Sequence, residues 1–381
     1  MMHSTGKRSR LISFLGALCM LLSAVEYAIP KPVPFMRLGL ANLPVLLALY
    51  IGLSTPEYFL LVALKILTQA LVSGTLFSYV FLFSLAGSLS SATVMWLLFK
   101  AGSRRGAALE SGAENEGISL SEDRGRSLFS ETGISLGGAL ANNLAQLALS
   151  YFMLFGESTR YIAPVLLITG AVTAVFLGLF AHTFMRCSNW FAAICSDAAS
   201  ESASPKDEDP HAAPADGADN AETVRSSGGT IRFCAALCLM LVFLFISDVR
   251  IKAALTVIFY IAARIRRRHI RILPSLIILV TVTIVALLSP AGRVLVRLGN
   301  FPLTLGALET GLSRSLTLVG MVFLSQYATS GNVKLPGKAG ILLESVFCWF
   351  SELSAKKLSF RKGAVISTLD AHLSAVYFKE D

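Results

Sequence analysis

The sequence predicts an all-α integral membrane protein, and three observations support this fold class. Long runs of about 20 apolar residues, enough for one helix to cross a bilayer, alternate with short polar interruptions. Hydrophobic residues make up 54% of the chain and charged residues only 15%. The mean hydropathy is +0.65. Helices satisfy their own backbone groups in lipid, whereas a soluble domain has too few protein partners to bury so many apolar runs.

Ten segments are predicted to cross or enter the membrane. Six lie in the first half of the chain, near Leu11–Ile29, Phe35–Leu53, Tyr58–Phe77, Val80–Phe99, Ile134–Phe155 and Ala163–Phe184. Four lie in the second half, near Phe233–Ile246, Ile251–Ala263, Leu273–Ser289 and Leu308–Ala328. Pro34, Arg37 and Asn42 interrupt the second segment, which we therefore interpret as either a full crossing or a tilted, half-inserted helix.

Polar stretches divide the chain into two membrane domains. Residues 1–195 form a predicted six-helix domain, and residues 230–381 form a second domain of roughly four helices with a tail. The segment between them, 196–229, is rich in Ala, Ser, Pro, Asp and Glu and has no apolar period, so we expect a disordered linker. A shorter polar stretch, Gly102–Ser127, is predicted to be a loop within the first domain.

The positions of Lys and Arg predict the orientation of the chain in the membrane. The net charge is +9, and the basic residues cluster beside apolar segments. Lys7, Arg8 and Arg10 precede the first segment, and five arginines lie between Arg264 and Arg271. Basic loops remain on the cytoplasmic side. We therefore expect a multi-pass membrane protein with a cytoplasmic N-terminus, linker and C-terminus, and no nucleic-acid partner.

Charged and amide side chains inside the apolar segments are the candidate substrate-binding residues. Glu26 lies in the first segment and Lys65 in the third, where an ionised group is costly unless it is paired or hydrated. Polar residues also recur every four positions, which places them on one helix face, as in Lys65 and Gln69 or Asn142 and Gln146. Such stripes form either a hydrogen-bonded helix seam or the wall of a solute cavity. The candidate substrate-binding set is Glu26, Lys65, Gln69, Asn142 and Gln146.

The sequence lacks the motifs of a catalytic or metal site. Prenyl diphosphate synthases hold magnesium with clustered aspartates, but this chain has no Asp-Asp pair. Its nearest acidic run, Asp207–Asp209, lies in the linker. The segment Gly331–Ala339 is similar to a phosphate-binding loop but has one residue too many and no Ser or Thr to bind magnesium. We therefore expect no enzyme activity, no cofactor and no metal.

Motifs in the first half resemble a known membrane family. They are Arg37–Leu43, Ser73–Phe77, Ser84–Gly87, Gly133–Gln146 and Pro164–Gly170. They resemble the bacterial family labelled heptaprenyl diphosphate synthase component I, also called the Gx transporter family. That family is similar to the substrate-binding (S) components of energy-coupling-factor (ECF) vitamin transporters, which implies a six-helix bundle. Such components meet their partner through small residues on the first helix, a role that the resemblance implies for Ala24 and Ala28.

The second half resembles, more weakly, the transmembrane (T) component of the same transporters. Ser247–Lys252 is similar to a helix start of that component, and Ser289–Gly292 and Leu303–Gly311 are similar to its middle. The tail carries two amphipathic stretches, which are either coupling helices or helices that lie at the membrane surface. Their apolar residues are Leu343, Val346, Phe347, Phe350 and Leu353, then Val365, Leu369, Leu373 and Val376.

Two functions follow from these patterns and resemblances. The first is a membrane subunit of an ECF-type importer, which captures a small-molecule substrate and couples to separate ABC-type ATPase subunits. The alternative is a non-catalytic membrane accessory subunit for isoprenoid or heptaprenyl diphosphate synthesis. In either case a flexible linker only tethers the two halves, so packed surfaces must dock them, and Ala24 and Ala28 are the predicted helix-docking residues.

Overall fold

The chain forms an all-α architecture with one short β-hairpin. The computed structural model describes residues 2–28, 39–76, 78–114, 129–202, 238–266, 272–288, 294–298, 301–328, 338–355 and 365–378.

The first domain begins with a long helix and then a short one. Its helices are α1 (Met2–Ala28), α2 (Leu43–Ile51), α3 (Thr55–Ser73), α4 (Tyr79–Glu114), α5 (Glu131–Ser150), α6 (Thr159–Cys187) and α7 (Asn189–Ser202). A 3₁₀ turn, Leu40–Asn42, leads into α2, and a π-helical turn, Tyr151–Phe155, follows α5. With nine residues, α2 is about 13 Å long and too short to cross a bilayer alone. The interrupted second segment therefore contains a partial helix.

The second domain has four helices, a hairpin and a two-helix tail among the described residues. The helices are α8 (238–245), α9 (Val249–Arg266), α10 (Ile272–Leu287) and α11 (Leu305–Ala328). The hairpin strands are β1 (Val294–Leu298) and β2 (Phe301–Thr304), which pair antiparallel with Leu298 opposite Phe301. The predicted amphipathic stretches form α12 (Lys338–Ala355) and α13 (Val365–Tyr377).

Parts of two segments that the sequence predicted to be irregular are helical, and residues 115–127 of the first segment lie outside the described residues. Helix α4 continues to Glu114, so residues 102–114 of the predicted loop belong to it. Its final turns contain Ala, Leu, Arg and Glu, which are good helix formers. Helix α7 reaches Ser202, so residues 196–202 of the predicted disordered linker are also helical. Residues 203–229 of that linker lie outside the described residues.

The distribution of side chains is that of a membrane protein. Four described segments are long and apolar enough to cross a membrane: Gly6–Glu26, Tyr79–Ser103, Glu131–Cys187 and Leu305–Ala328. The third of these contains both α5 and α6. On α6 the large apolar side chains of Ile168 and Phe176 are 63% and 69% exposed, whereas polar side chains such as that of Gln146 are buried. This inside-out pattern, with the predominantly helical content, confirms the predicted all-α membrane class.

A capping box and an ion pair fix the beginning of α3. The backbone N and Oγ of Ser54 donate to Glu57 Oε2, at 2.9 and 2.7 Å. The guanidinium of Arg8, on α1, lies 3.3 Å from the same carboxylate. Partial burial opposes ionisation of this carboxyl group, but the Ser54 hydrogen bonds and the Arg8 charge outweigh it and lower the pKa of Glu57. As a result, α1 and α3 begin at the same end of the bundle.

The two domains contact each other at opposite ends of the α5–α6 pair. At one end, Leu154 and Phe155 of the π turn pack with Val282 and Val285 of α10. At the other end, α12 packs along α1, and α13 packs against α7 and the end of α6. The tail therefore lies on the first domain, although it follows the second domain in sequence.

Candidate substrate-binding site

The first polar group joins α1 to α3 through the turn before α2. Leu40 N donates to Glu26 Oε2 at 3.1 Å, and Lys65 Nζ donates to Asn42 Oδ1. The side chains of Glu26 and Lys65 are both buried, at 2% and 4% exposed. Gly39 makes this approach possible, because its φ of +86° lies in the left-handed region that side chains disfavour. The two charged candidates are thus inside the protein and not in contact with lipid.

The second polar group lies in the seam where α4, α5 and α6 meet. Gln146 Nε2 donates to Asn142 Oδ1 at 3.2 Å, and Asn142 Nδ2 donates to Asn143 Oδ1 at 3.3 Å. Asn143 Nδ2 then donates to the carbonyl oxygen of Leu166 on α6 at 2.9 Å. On the α4 side, Gly87 leaves the room that the amides occupy, since a Cβ there would lie 3.1 Å from Gln146 Nε2. The predicted α5 stripe therefore forms a hydrogen-bonded seam.

A small cavity lies beside the first polar group, between the turn before α2 and the helices α4, α5 and α6. Gly39 and Asn42 line one side, and Met95, Ser135 and Ala139 line the other. Its volume is about 20 Å³, which is room for a single water molecule. A larger solute requires α2 and its preceding turn to move away from α5. The convergence of Glu26, Lys65, Asn142 and Gln146 on one pocket therefore stays a prediction.

Several buried polar atoms next to these groups have unused hydrogen-bonding capacity. Among the described residues, no hydrogen-bond partner lies near Gln69 Oε1, Gln146 Oε1, Ser84 Oγ or Ser91 Oγ. Leaving a buried polar group unsatisfied costs about 1–3 kcal/mol, so native proteins tolerate few of them. These four atoms are where a bound polar solute would gain hydrogen bonds. A binding role for Gln69 and Gln146 stays a prediction.

Three residues that complete these groups were not among the predicted site residues. Asn42 accepts the hydrogen bond from Lys65, Asn143 links α5 to α6, and Gly87 admits the amides. Asn42 and Gly87 lie within the family motifs Arg37–Leu43 and Ser84–Gly87, so the sequence did contain a signal for these two residues. Asn143 is off the four-residue repeat, which is why the periodicity did not select it.

The predicted helix-docking residues lie at the far end of α1. The side chain of Ala24 is half-buried, and that of Ala28 lies outside the described residues. The close approach between α1 and the second domain occurs instead at Gly16, where a Cβ would lie 3.2 Å from a methyl carbon of Val346. A docking role for Ala24 and Ala28 stays a prediction.

The described residues contain no candidate metal centre. No group of three His, Cys, Asp or Glu side chains among them is placed to hold an ion. His182, one of the five histidines, instead contacts Glu131, with 3.1 Å between Nδ1 and Oε2. This contact joins the end of α6 to the beginning of α5.

Comparison with known proteins finds a family match for each half of the chain. A family model described as heptaprenyl diphosphate synthase component I matches residues 15–111 and 117–184. A second model, described as a domain of unknown function (DUF8519), matches residues 229–330. No curated protein and no solved structure matches the chain. The resemblance to ECF transporter components therefore stays a prediction for both halves. The first model covers all of α2, α3 and α5, most of α1, α4 and α6, and both polar groups, so the N-terminal half of this chain is similar to the heptaprenyl diphosphate synthase component I family.

Proposed function

We propose that this protein is a non-catalytic membrane subunit that supports heptaprenyl diphosphate synthesis by holding a soluble synthase at the membrane. The observation that carries this proposal is the family match over residues 15–111 and 117–184, because the family name describes one component of such a synthase. The catalytic aspartates would belong to the soluble partner, since this chain has no Asp-Asp pair.

The chemistry of the product explains why such a synthase benefits from a membrane subunit. A growing prenyl chain is apolar, and each methylene group that leaves water contributes about 0.8 kcal/mol. The product therefore partitions into lipid, while the diphosphate head remains at the surface. A subunit that holds the synthase at the bilayer raises its local concentration where the product must go. The outward-facing apolar side chains of α5 and α6 place this chain in that environment.

Copurification with named candidate partners tests the proposal. The tagged full chain is coexpressed with the soluble prenyl synthase of the same genome, recognised by its paired Asp-rich motifs, and solubilised in mild detergent. We expect the synthase to remain bound after washing, whereas an unrelated multi-pass protein with the same tag retains none. Loss of the synthase, with stable retention of a coexpressed pair of ABC-type ATPases, would contradict the proposal.

A second candidate function is an ECF-type importer subunit, and the buried polar groups favour it. Ionisable residues at membrane depth are expensive and mark solute pathways in many transporters. Lys65 and Glu26 are both buried here, and the adjacent seam contains polar atoms without hydrogen-bond partners among the described residues. In this case the first domain would capture a small polar molecule, and separate ATPases in the cytoplasm would drive its import.

Substitution of Lys65 tests whether the first polar group binds a solute. Lys65→Met keeps the length of the side chain and removes its charge and its hydrogen bond to Asn42. We expect the wild-type protein, purified in mild detergent, to retain a small polar molecule that mass spectrometry detects. The variant should retain at least about tenfold less of it, because a hydrogen bond to a charged group is lost. Lys100→Met is the matched control, because Lys100 is exposed near the end of the span, with its Nζ 4.5 Å from the centre of the Trp96 ring.

The two variants are compared by melting temperature as well as by retained solute. If Lys65→Met and Lys100→Met retain the same molecule in the same amount, Lys65 does not bind it. A lost solute with an unchanged melting temperature supports a binding site, because a purely structural role for Lys65 would lower the melting temperature as well.

A further inference from the structure

The tail, helices α12 and α13, is attached to the first domain by specific hydrogen bonds as well as by packing. Asp370, on α13, is 8% exposed and lies at the beginning of α7. Its Oδ1 accepts from Trp190 N at 3.0 Å and from the hydroxyl of Ser188, and its Oδ2 accepts from Asn189 N at 3.2 Å. The three partners lie 180 to 182 residues from Asp370 in the sequence. A residue of the tail therefore caps a helix of the first domain.

The cap is physically favourable for a carboxylate. The first backbone N–H groups of a helix have no partner within the helix, and the helix dipole makes this end positive. Ser188, the residue before α7, donates its hydroxyl hydrogen to Asp370. Its Oγ also accepts from Phe191 N at 3.1 Å. Asp370 and Ser188 together satisfy the first turn of α7. Hydrogen bonds to a charged acceptor are stronger than neutral ones.

The C-terminal end of α13, about two turns beyond Asp370, is held by a charge of opposite sign. Arg10, on α1, donates to the carbonyl oxygen of Tyr377 at 2.8 Å. Its guanidinium carbon also lies 5.3 Å from the ring centres of both Trp349 and Tyr377. A cation at the carbonyl end of a helix is favoured by the dipole, and aromatic faces add to its binding. One helix of the tail is thus fastened at two points to two helices of the first domain.

Apolar contacts fill the space between these two points. The ring of Phe14 lies 4.9 Å from that of Tyr377 and 5.4 Å from that of Trp349, measured between centres. Two residues further along α1, Gly16 and Val346 are in close contact. These contacts come from both α12 and α13, so both helices of the tail bury apolar side chains on the first domain.

We propose that α12 and α13 form a latch that fastens the second domain to the first, and that Asp370 holds the latch by capping α7. The second domain is then held to the first at two places. Its membrane helices, which precede the α11–α12 connection, form one contact, and the tail, which follows that connection, forms the other. The linker between the domains needs only to tether them. The latch also covers the apolar face of α1 around Phe14, so any partner that binds this face must first displace the tail.

Cleavage of the full chain between α11 and α12 tests the latch. A protease site is placed within residues 329–337, the chain is tagged at its N-terminus, and the purified protein is cut while bound to the resin. Wild-type tail, residues 338–381, is expected to stay on the resin. For Asp370→Ala, we expect the tail to be retained at least about tenfold less, because several hydrogen bonds to a charge are lost. Glu352→Ala is the matched control, since Glu352 is an exposed acid on α12, and its tail should stay bound.

A conservative variant keeps the test decisive. Asp370→Asn retains one acceptor oxygen and loses the charge, so its tail retention should fall between those of the wild type and Asp370→Ala. If the alanine variant aggregates before cleavage, the asparagine variant decides alone. Release of the wild-type tail on cleavage overturns the latch. Wild-type retention by Asp370→Asn and Asp370→Ala, or equal loss by Glu352→Ala, overturns the role of Asp370.

Discussion

Trp190→Ala is expected to lower the free energy of unfolding by about 3–5 kcal/mol, the range measured for the truncation of buried aromatic side chains. The side chain is completely buried. Its ring lies 5.6 Å from that of Phe14, 6.3 Å from that of Phe184 and 6.3 Å from that of Tyr377, measured between centres. Removing it leaves a cavity where α1, α6, α7 and the tail meet. The readout is the denaturation midpoint of the protein in detergent.

Two further substitutions separate packing from hydrogen bonding at this position. Trp190 Nε1 has no hydrogen-bond partner among the described residues. Trp190→Phe keeps most of the ring and removes the unsatisfied donor, so we expect a loss of only about 1 kcal/mol. Phe176→Ala is the control for an aromatic side chain that is 69% exposed, with an expected change of about 0.5 kcal/mol. Equal losses for the phenylalanine and alanine variants would show that the cluster is not packed as described.

Gly178→Ala and Gly133→Ala are expected to change stability in opposite directions. A Cβ on Gly178, in α6, would lie 2.5 Å from Thr132 Cα in the backbone of α5. The two helices must separate to admit it, at a cost of about 1–3 kcal/mol. At Gly133 the nearest atom to an added Cβ is Ser130 Oγ at 3.6 Å, an ordinary contact. Alanine is a better helix former than glycine, so this second variant should be neutral or slightly stabilised.

The same pair of glycine variants reports on the contact between His182 and Glu131. These side chains join α6 to α5 close to Gly178 and Thr132. Separation of the helices should weaken the contact in Gly178→Ala and leave it intact in Gly133→Ala. Thermal unfolding of the two variants beside wild type measures the effect. A Gly178→Ala protein as stable as wild type would mean that α5 and α6 do not pack closely at this point.

The long apolar runs made the membrane fold predictable from sequence, because length and hydropathy alone determine whether a helix can cross lipid. The periodic placement of Asn142 and Gln146 likewise predicted a buried polar face, and both residues are buried. What periodicity does not contain is the identity of the facing helix. The pattern left open a seam or a cavity, and the choice depends on Gly87 of α4 and on the Asn143 link to α6.

Composition misled the prediction where polar residues are also good helix formers. The end of α4 is rich in Ala, Arg and Glu, which suggested a loop but continues the helix to Glu114. The β-hairpin was missed although its signal was present. The short run Val294–Leu298 is rich in valine and leucine. It is followed by Gly299–Asn300, a residue pair typical of two-residue hairpin connections.

No local pattern in the sequence predicts where the tail packs. The apolar residues of α12 and α13 indicated amphipathic helices, and Leu343, Val346, Leu373 and Val376 are indeed buried. Amphipathicity does not say whether the apolar face meets lipid or protein. The deciding contact joins Asp370 to the beginning of α7, and it depends on two residues that the fold brings together from distant parts of the sequence.

Synthesis of prenyl diphosphate in vesicles tests the central claim most directly. The soluble synthase of the same genome is supplied with labelled isopentenyl diphosphate, with lipid vesicles that contain either the purified chain or an unrelated multi-pass protein. The account predicts that vesicles containing the chain bind the synthase and increase the yield of the long prenyl product. An unchanged yield and product length, together with solute uptake when the ABC-type ATPases are added to the same vesicles, would contradict it and favour the importer.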